Sequence, residues 1–311
     1  MVKEALIFLA AALSLQAVGA ESVWMGMDQQ ALDDAYDQRV YAANLTQVLA
    51  RFKSNSEAVR AKLGEPLRLA YGAGADERMD VYTTDVANAP IHIFIHGGAW
   101  RMGVAKDNAH AAEMFVRNGI HFVVPDFSPV QNFEGRLEPM VEQLRAAVIW
   151  IYRNAGGSFD GDVSRIYLSG FSSGGHLASV LLTTDWSHYG EDLPLDLFKG
   201  SVLCSGMYDL VPVSLSARRH YVNFTDETIE RLSAIRHIDQ IHCPVVVAYG
   251  TEETPEFQRQ AQAFAQALIQ GGVDAELLVA EHYNHFEVIE TMANPYRLLG
   301  EAALKQIVNS K

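Results

Sequence analysis

The residues of this 311-residue chain whose types and spacing suit chemistry begin with Gly170-Phe171-Ser172-Ser173-Gly174. A serine hydroxyl is a weak nucleophile at neutral pH, so it needs a histidine to take its proton and a carboxylate to orient that histidine. Both residue types follow downstream, in Tyr249-Gly250-Thr251-Glu252-Glu253-Thr254-Pro255-Glu256-Phe257 and then in His282-Tyr283-Asn284-His285-Phe286. Upstream, His96-Gly97-Gly98-Ala99-Trp100 offers two glycines whose backbone N–H groups can approach a substrate oxygen closely. The chemistry this set would do is acyl transfer through Ser172. Two glycines at that spacing arise by chance in roughly one window in 200 at an average usage of about 7%, so the elements around the motif must decide.

Those elements suit a nucleophile. Ile166-Tyr167-Leu168 reads as a short buried strand and Gly175-His176-Leu177-Ala178 opens a helix, so the chain turns sharply at Ser172. The corner lifts the hydroxyl above the sheet, beside the positive end of the helix, and leaves the N–H of Ser173 to donate to a developing oxyanion. Ile91 to Ile95 is a second strand, and it delivers Gly97 and Gly98 at its carboxyl end, where open α/β sheets place ligands. With Ser173 they make a three-donor oxyanion hole. The acid and histidine segments follow two later strands, Val245 to Tyr249 and Ala275 to Ala280, on the same edge as Ser172.

Along the rest of the chain, Leu32, Tyr36 and Val40 recur at four-residue spacing within a polar, helix-prone segment from Asp28 to Leu63. Leu67 to Tyr71 and Arg78 to Tyr82 form a hairpin signature around Gly72-Ala73-Gly74-Ala75-Asp76. Strands and helices then alternate. A helix is expected over Asp107 to Arg117, a strand over His121 to Val124, and a long helix through Leu144 and Ile151 that stops at Gly156-Gly157. A strand at Ser201 to Cys204 and a helix through Phe257 to Leu268 continue the pattern, and the last helices begin near Phe286. Such alternation demands crossover connections and hence a mostly parallel central sheet with helices on both faces. The segment 211–241 interrupts the pattern; with the helices of 28–63 it is expected to form a small cap on a single domain spanning 21–311.

These stretches resemble the α/β-hydrolase superfamily, in its hormone-sensitive-lipase-like branch, and most closely the kynurenine formamidase (arylformamidase) group. Ser205-Gly206-Met207-Tyr208-Asp209-Leu210 and Pro255-Glu256-Phe257 carry the narrower likeness. The resemblance implies an α/β-hydrolase fold with a catalytic triad of Ser172, Glu253 and His285, Glu253 standing where similar proteins carry Asp. It implies hydrolysis of small N-formyl arylamides of the N-formylkynurenine kind, and no cofactor or metal. Glu252 is the rival acid and His282 the rival base. Carboxylester hydrolysis of short acyl groups is the alternative activity, and a non-catalytic binding protein of the same fold the third. Trp100 and Tyr208, next to the motifs, are expected in the substrate pocket, Trp100 crowding the acyl side. Glu256, at the start of a helix, suits its dipole rather than catalysis. His96 and His176 are expected to be structural, bonded to nearby backbone, and Asp209 to hold its own loop.

Composition narrows the partners. Hydrophobic residues make up 49% of the chain and charged ones 20%, and 24 Lys plus Arg stand against 38 Asp plus Glu for a net charge of −14. With no basic run, nucleic acid and anionic membrane are excluded as expected partners, leaving a small-molecule amide or ester. Lys3, an uncharged run from Ala5 to Leu15 and Val18-Gly19-Ala20 resemble a signal peptide over residues 1–20, implying a secreted or periplasmic protein. The alternative is a cytoplasmic protein starting at Met25 or Met27. The two cysteines, Cys204 and Cys243, fall at opposite ends of neighbouring strands and are expected to be free thiols.

Overall fold

The computed structural model describes residues 22–309; the expected leader, 1–20, lies outside them. The chain runs α1 (Gln29–Ala35), α2 (Leu45–Leu63), β1 (Leu67–Ala70), β2 (Arg78–Tyr82), β3 (Ala89–Ile95), α3 (Ala112–Arg117), β4 (His121–Pro125) and α4 (Glu138–Phe159). It continues with β5 (Gly161–Phe171), α5 (Ser173–Leu182), β6 (Phe198–Cys204), α6 (Leu210–Leu215), α7 (Asp226–Leu232) and β7 (Val245–Gly250). It closes with α8 (Pro255–Gln270), β8 (Ala275–Ala280), α9 (His285–Val288) and α10 (Leu298–Asn309).

The strands form one eight-stranded sheet in the order β1-β2-β4-β3-β5-β6-β7-β8. β1, β2 and β4 pair antiparallel, as the early hairpin signature requires, and every pairing from β4 through β8 is parallel. Every residue of β3, β4 and β7 is buried, which is why these strands read as nearly continuous apolar runs, His92 and His121 apart, rather than alternating ones. Period-two geometry then splits each strand between two cores. Ile91, Ile93 and Ile95 face Leu144 of α4, Leu177 of α5 and Phe264 of α8, whereas Phe94 joins Phe115 of α3, Phe122 and Leu299 of α10 on the other side.

Two helix boundaries differ from expectation. α4 does not stop at Gly156-Gly157 but runs on to Phe159, and Asp160 closes it in the left-handed conformation at φ 57°. Each interior glycine costs about 1 kcal/mol relative to Ala, a loss that burial of Ala155 and Phe159 in the core offsets. The helix expected over 107–117 is instead a 3-10 turn, Ala105–Asn108, followed by α3. There the N–H of Ala109 donates to Ser56 Oγ at 3.0 Å and that of Ala105 to Asp126 Oδ1, so side chains satisfy backbone groups that a continuous helix would use.

Segment 211–241 folds as α6, α7 and short 3-10 turns and reaches the end of α1 through Arg218, which donates to the carbonyl of Tyr36, the residue that caps α1. Cys204 and Cys243 are both free and buried. Among the described residues, no helix is long and apolar enough to cross a membrane.

Candidate active site

Ser172 occupies the corner between β5 and α5 with φ 56° and ψ −123°, a conformation that costs a non-glycine residue about 1–3 kcal/mol. The flanking glycines exist because nothing larger fits. A Cβ on Gly170 would lie 2.2 Å from the Gly174 carbonyl oxygen, and one on Gly174 would lie 2.2 Å from that of Ile95. The corner is pinned on the other side by Ser172 N–H donating to the Cys204 carbonyl at 2.9 Å.

Ser172 Oγ lies 2.9 Å from His285 Nε2, and His285 Nδ1 lies 2.8 Å from Glu253 Oε2. The three arrive from separate elements: the β5–α5 corner, the first residue of α9 and the loop between β7 and α8. Asn284 caps α9 and forms a reciprocal capping box with Glu287, which fixes where His285 starts. Phe171, Phe257 and Phe286 surround its imidazole at 4.9 to 5.0 Å between ring centres, and His285 is 3% exposed. Glu253 is 1% exposed. Its other oxygen, Oε1, accepts from Ser205 Oγ at 2.6 Å and from Gly250 N–H at 2.7 Å. The rivals sit elsewhere: Glu252 and His282 are exposed.

Gly97 abuts Ser172, since a Cβ there would lie 3.1 Å from Ser172 Cβ. Gly98 has φ 125°, and a Cβ on it would lie 1.9 Å from the Met102 carbonyl oxygen. Ala99 and Trp100 follow at φ 54° and 61°, and the turn is held by Met102 N–H to Gly98 O and Val130 N–H to Trp100 O. Among the described residues, neither Gly97 N–H nor Gly98 N–H donates to another backbone group. Ser173, the first residue of α5, has an N–H that no helical carbonyl can reach.

Trp100 and Tyr208 are not in the pocket. The left-handed turn points Trp100 inward, where it is 2% exposed and donates Nε1–H to His176 Nδ1 at 3.2 Å. Tyr208 folds back under its loop into space that Gly206 leaves open: a Cβ on Gly206 would lie 2.6 Å from Tyr208 Cζ. Its ring stacks on Phe264 at 4.2 Å. The crowding of the acyl side expected from Trp100 therefore loses its basis. His176 is structural, as expected, but it bonds the distant Leu232 carbonyl at 3.0 Å rather than local backbone. Burial pushes its basicity down to about 4, so it stays neutral, accepting from Trp100 while donating to Leu232. His96 stacks on Phe127 and bonds the Gly97 carbonyl. Glu256 pairs with Arg259 and accepts from Tyr36 Oη, and Asp209 caps α6.

Sequence reasoning missed the residues that brace these loops. Gln38 exchanges two hydrogen bonds with Thr254, next to Glu253, and Thr254 Oγ donates to the Ala35 carbonyl. Asn44 bonds both Asn284 and Glu287 beside His285. The N-terminal segment thus clamps the acid and histidine loops and walls a cleft of about 770 Å³. Ser172, His285, Gly97, Gly98 and Phe171 line its floor, Tyr36, Leu45, Leu49 and Phe52 one wall, and Arg218 and Tyr221 another.

The family model BD-FAE matches residues 79–197. The chain is 30% identical to a kynurenine formamidase of Salmo salar over 268 residues, covering 83% of this chain and 87% of that protein. It is 28% identical to one of Danio rerio over 302 residues, covering 93% and 100%. A crystal structure of a putative thioesterase from Silicibacter sp. superposes with a TM-score of 0.77 at 25% identity, covering 88% of this chain and 98% of that one. The Ser172 corner, the sheet that carries it and these relatives agree: the chain is an α/β-hydrolase and belongs to the kynurenine formamidase family.

Proposed function

We propose that the protein hydrolyses small aryl formamides through a formyl-enzyme on Ser172. The observation that carries this reading is the unbroken chain from Ser172 Oγ through His285 to a buried Glu253, open to a cleft at Ser172. In the first step His285 Nε2 takes the Ser172 proton as Oγ attacks the formyl carbon. Glu253 holds Nδ1–H and so leaves Nε2 as the acceptor. The carbonyl oxygen becomes an oxyanion that takes hydrogen bonds from the N–H groups of Gly97, Gly98 and Ser173. On collapse, His285 returns the proton to the leaving arylamine. Water, deprotonated by His285, then releases formate and restores Ser172.

The formyl preference is supported by the two formamidase relatives, and a short-chain carboxylesterase is the competing activity on the same machinery. The test is a panel of kcat/KM values on N-formylkynurenine, formanilide, phenyl acetate and phenyl octanoate. Turnover of the formyl arylamides at rates above the octanoate ester supports the reading. Preference for octanoate with no formamide turnover overturns it while leaving the serine hydrolase intact.

A further inference from the structure

The two ends of the chain from Ser172 through His285 to Glu253 are tied to consecutive residues. At the end of β6 the Cys204 carbonyl accepts from Ser172 N–H at 2.9 Å, and the next side chain, Ser205, donates its hydroxyl to Glu253 Oε1 at 2.6 Å. The step between them is firmly seated. Ser205 N–H donates to the Ala248 carbonyl of β7 at 2.8 Å, and Gly206 N–H donates to Tyr208 Oη at 3.2 Å. A Cβ on Gly175 would lie 3.0 Å from the Cys204 carbonyl oxygen and 3.1 Å from Gly206 Cα, so the first turn of α5 rests directly on this turn.

Ser205 holds a conformation that suits another residue. Its φ is 53°, in the left-handed region that favours glycine, and a side chain kept there needs surroundings that fix it. What glycine could not supply is the hydroxyl. Cys204 Sγ lies 3.4 Å from Ser205 Oγ, and burial pushes that thiol's pKa well up, so the thiol stays protonated. It can donate to Ser205 Oγ while the Ser205 proton goes to the carboxylate.

Glu253 needs such a hold. A glutamate carboxylate turns about a terminal torsion with broad minima, and Glu253 is fully buried, so no solvent shell steadies it. Gly250 N–H and Ser205 Oγ together fix Oε1 and the plane of the group, which leaves Oε2 facing His285 Nδ1. We propose that Ser205 is a positioning residue for the reaction: its hydroxyl aims Glu253 at His285 while the preceding peptide holds the Ser172 corner, so that one turn sets both ends. The inference rests on the reading of Ser172, His285 and Glu253 as a triad and is independent of the acyl group transferred.

The test is a double-mutant cycle on phenyl acetate with Ser205→Ala, Glu253→Gln and the pair, each variant checked by its melting curve. Ser205→Ala should lower kcat by roughly 10- to 100-fold, the range of a hydrogen bond to a charged group, with KM little changed. In the Glu253→Gln background the same substitution should cost no more than about twofold, because the orienting charge on His285 is already gone. Ser205→Gly, relaxed at this φ, should melt no earlier than Ser205→Ala and be as slow; it carries the cycle if Ser205→Ala fails to fold. An equal loss in both backgrounds makes the hydroxyl merely structural and overturns the proposal. So does a Ser205→Ala enzyme within about twofold of wild type where Glu253→Gln is crippled. A Glu253→Gln enzyme close to wild type overturns the triad reading itself, and the proposal with it.

Discussion

Replacing Glu253 with Gln removes a charge while keeping the shape, and the hydrogen bonds around it say where the amide must point. Oε1 faces Gly250 N–H at 2.7 Å and Ser205 Oγ at 2.6 Å, whereas Oε2 faces His285 Nδ1 at 2.8 Å. A backbone N–H can only donate, so the amide oxygen must take the Oε1 position and the NH2 must face His285. Nδ1 then has to accept, the imidazole proton moves to Nε2, and His285 can no longer take the Ser172 proton. A triad carboxylate amidated in this way loses about 10⁴ in kcat, equivalent to about 5.4 kcal/mol of barrier at 1.36 per decade. Glu252 is exposed, and Glu252→Gln should stay within about twofold of wild type. Initial rates on phenyl acetate at pH 7.5, with melting curves to show that both variants fold, decide the matter. A Glu253→Gln enzyme within about tenfold of wild type, or a crippled Glu252→Gln, refutes the reasoning.

Gly174→Ala drives a Cβ to 2.2 Å from a backbone carbonyl oxygen, so it should lower the melting temperature and abolish turnover together. Gly157→Ala, in the last turn of α4 with nothing within 4 Å of the added carbon, should instead stabilise by about 0.5–1 kcal/mol in urea unfolding. Burial holds His92 down to about 3 and His110 and His176 to about 4, while the unfolded chain takes up these protons near pH 6.5. Stability is therefore full above about pH 6.5 and falls toward pH 4, by about 1.4 kcal/mol per pH unit for each ring. Urea midpoints at pH 7.5, 6 and 5 should drop in that order, and a flat series contradicts the buried neutral rings. On the proposal that residues 1–20 are a cleaved leader, the full chain expressed in a secreting bacterial host should give an N-terminal sequence that begins at Glu21, and a chain that keeps residues 1–20 contradicts it.

The Ser172 corner was legible because its geometry is written in local steric demands. Gly170 and Gly174 are glycine for contacts that any strand-to-helix turn of this tightness makes, and a mostly apolar run such as Ile91 to Ile95, broken only by His92, suits a strand buried on both faces. Pocket membership was not legible. Trp100 and Tyr208 neighbour the motifs along the chain, yet their direction is set by a left-handed turn at Ala99 and Trp100 and by the missing Cβ of Gly206. Contacts across long separations were equally hidden, among them Ser205 on Glu253 and Gln38 on Thr254. Both braces come from ordinary polar residues whose spacing carries no signal. The Ser205-Gly206 stretch beside Tyr208 was visible, but as a family likeness rather than as a hydrogen bond to the acid.

The central claim is that Ser172 carries the acyl group. Its most direct test is the turnover of Ser172→Ala on an aryl formamide and an aryl acetate, measured on protein whose melting curve matches wild type. Because nucleophile and base act as a unit, the account predicts a fall of something like 10⁶-fold on both substrates. Residual turnover within about a hundredfold of wild type on either substrate would contradict it.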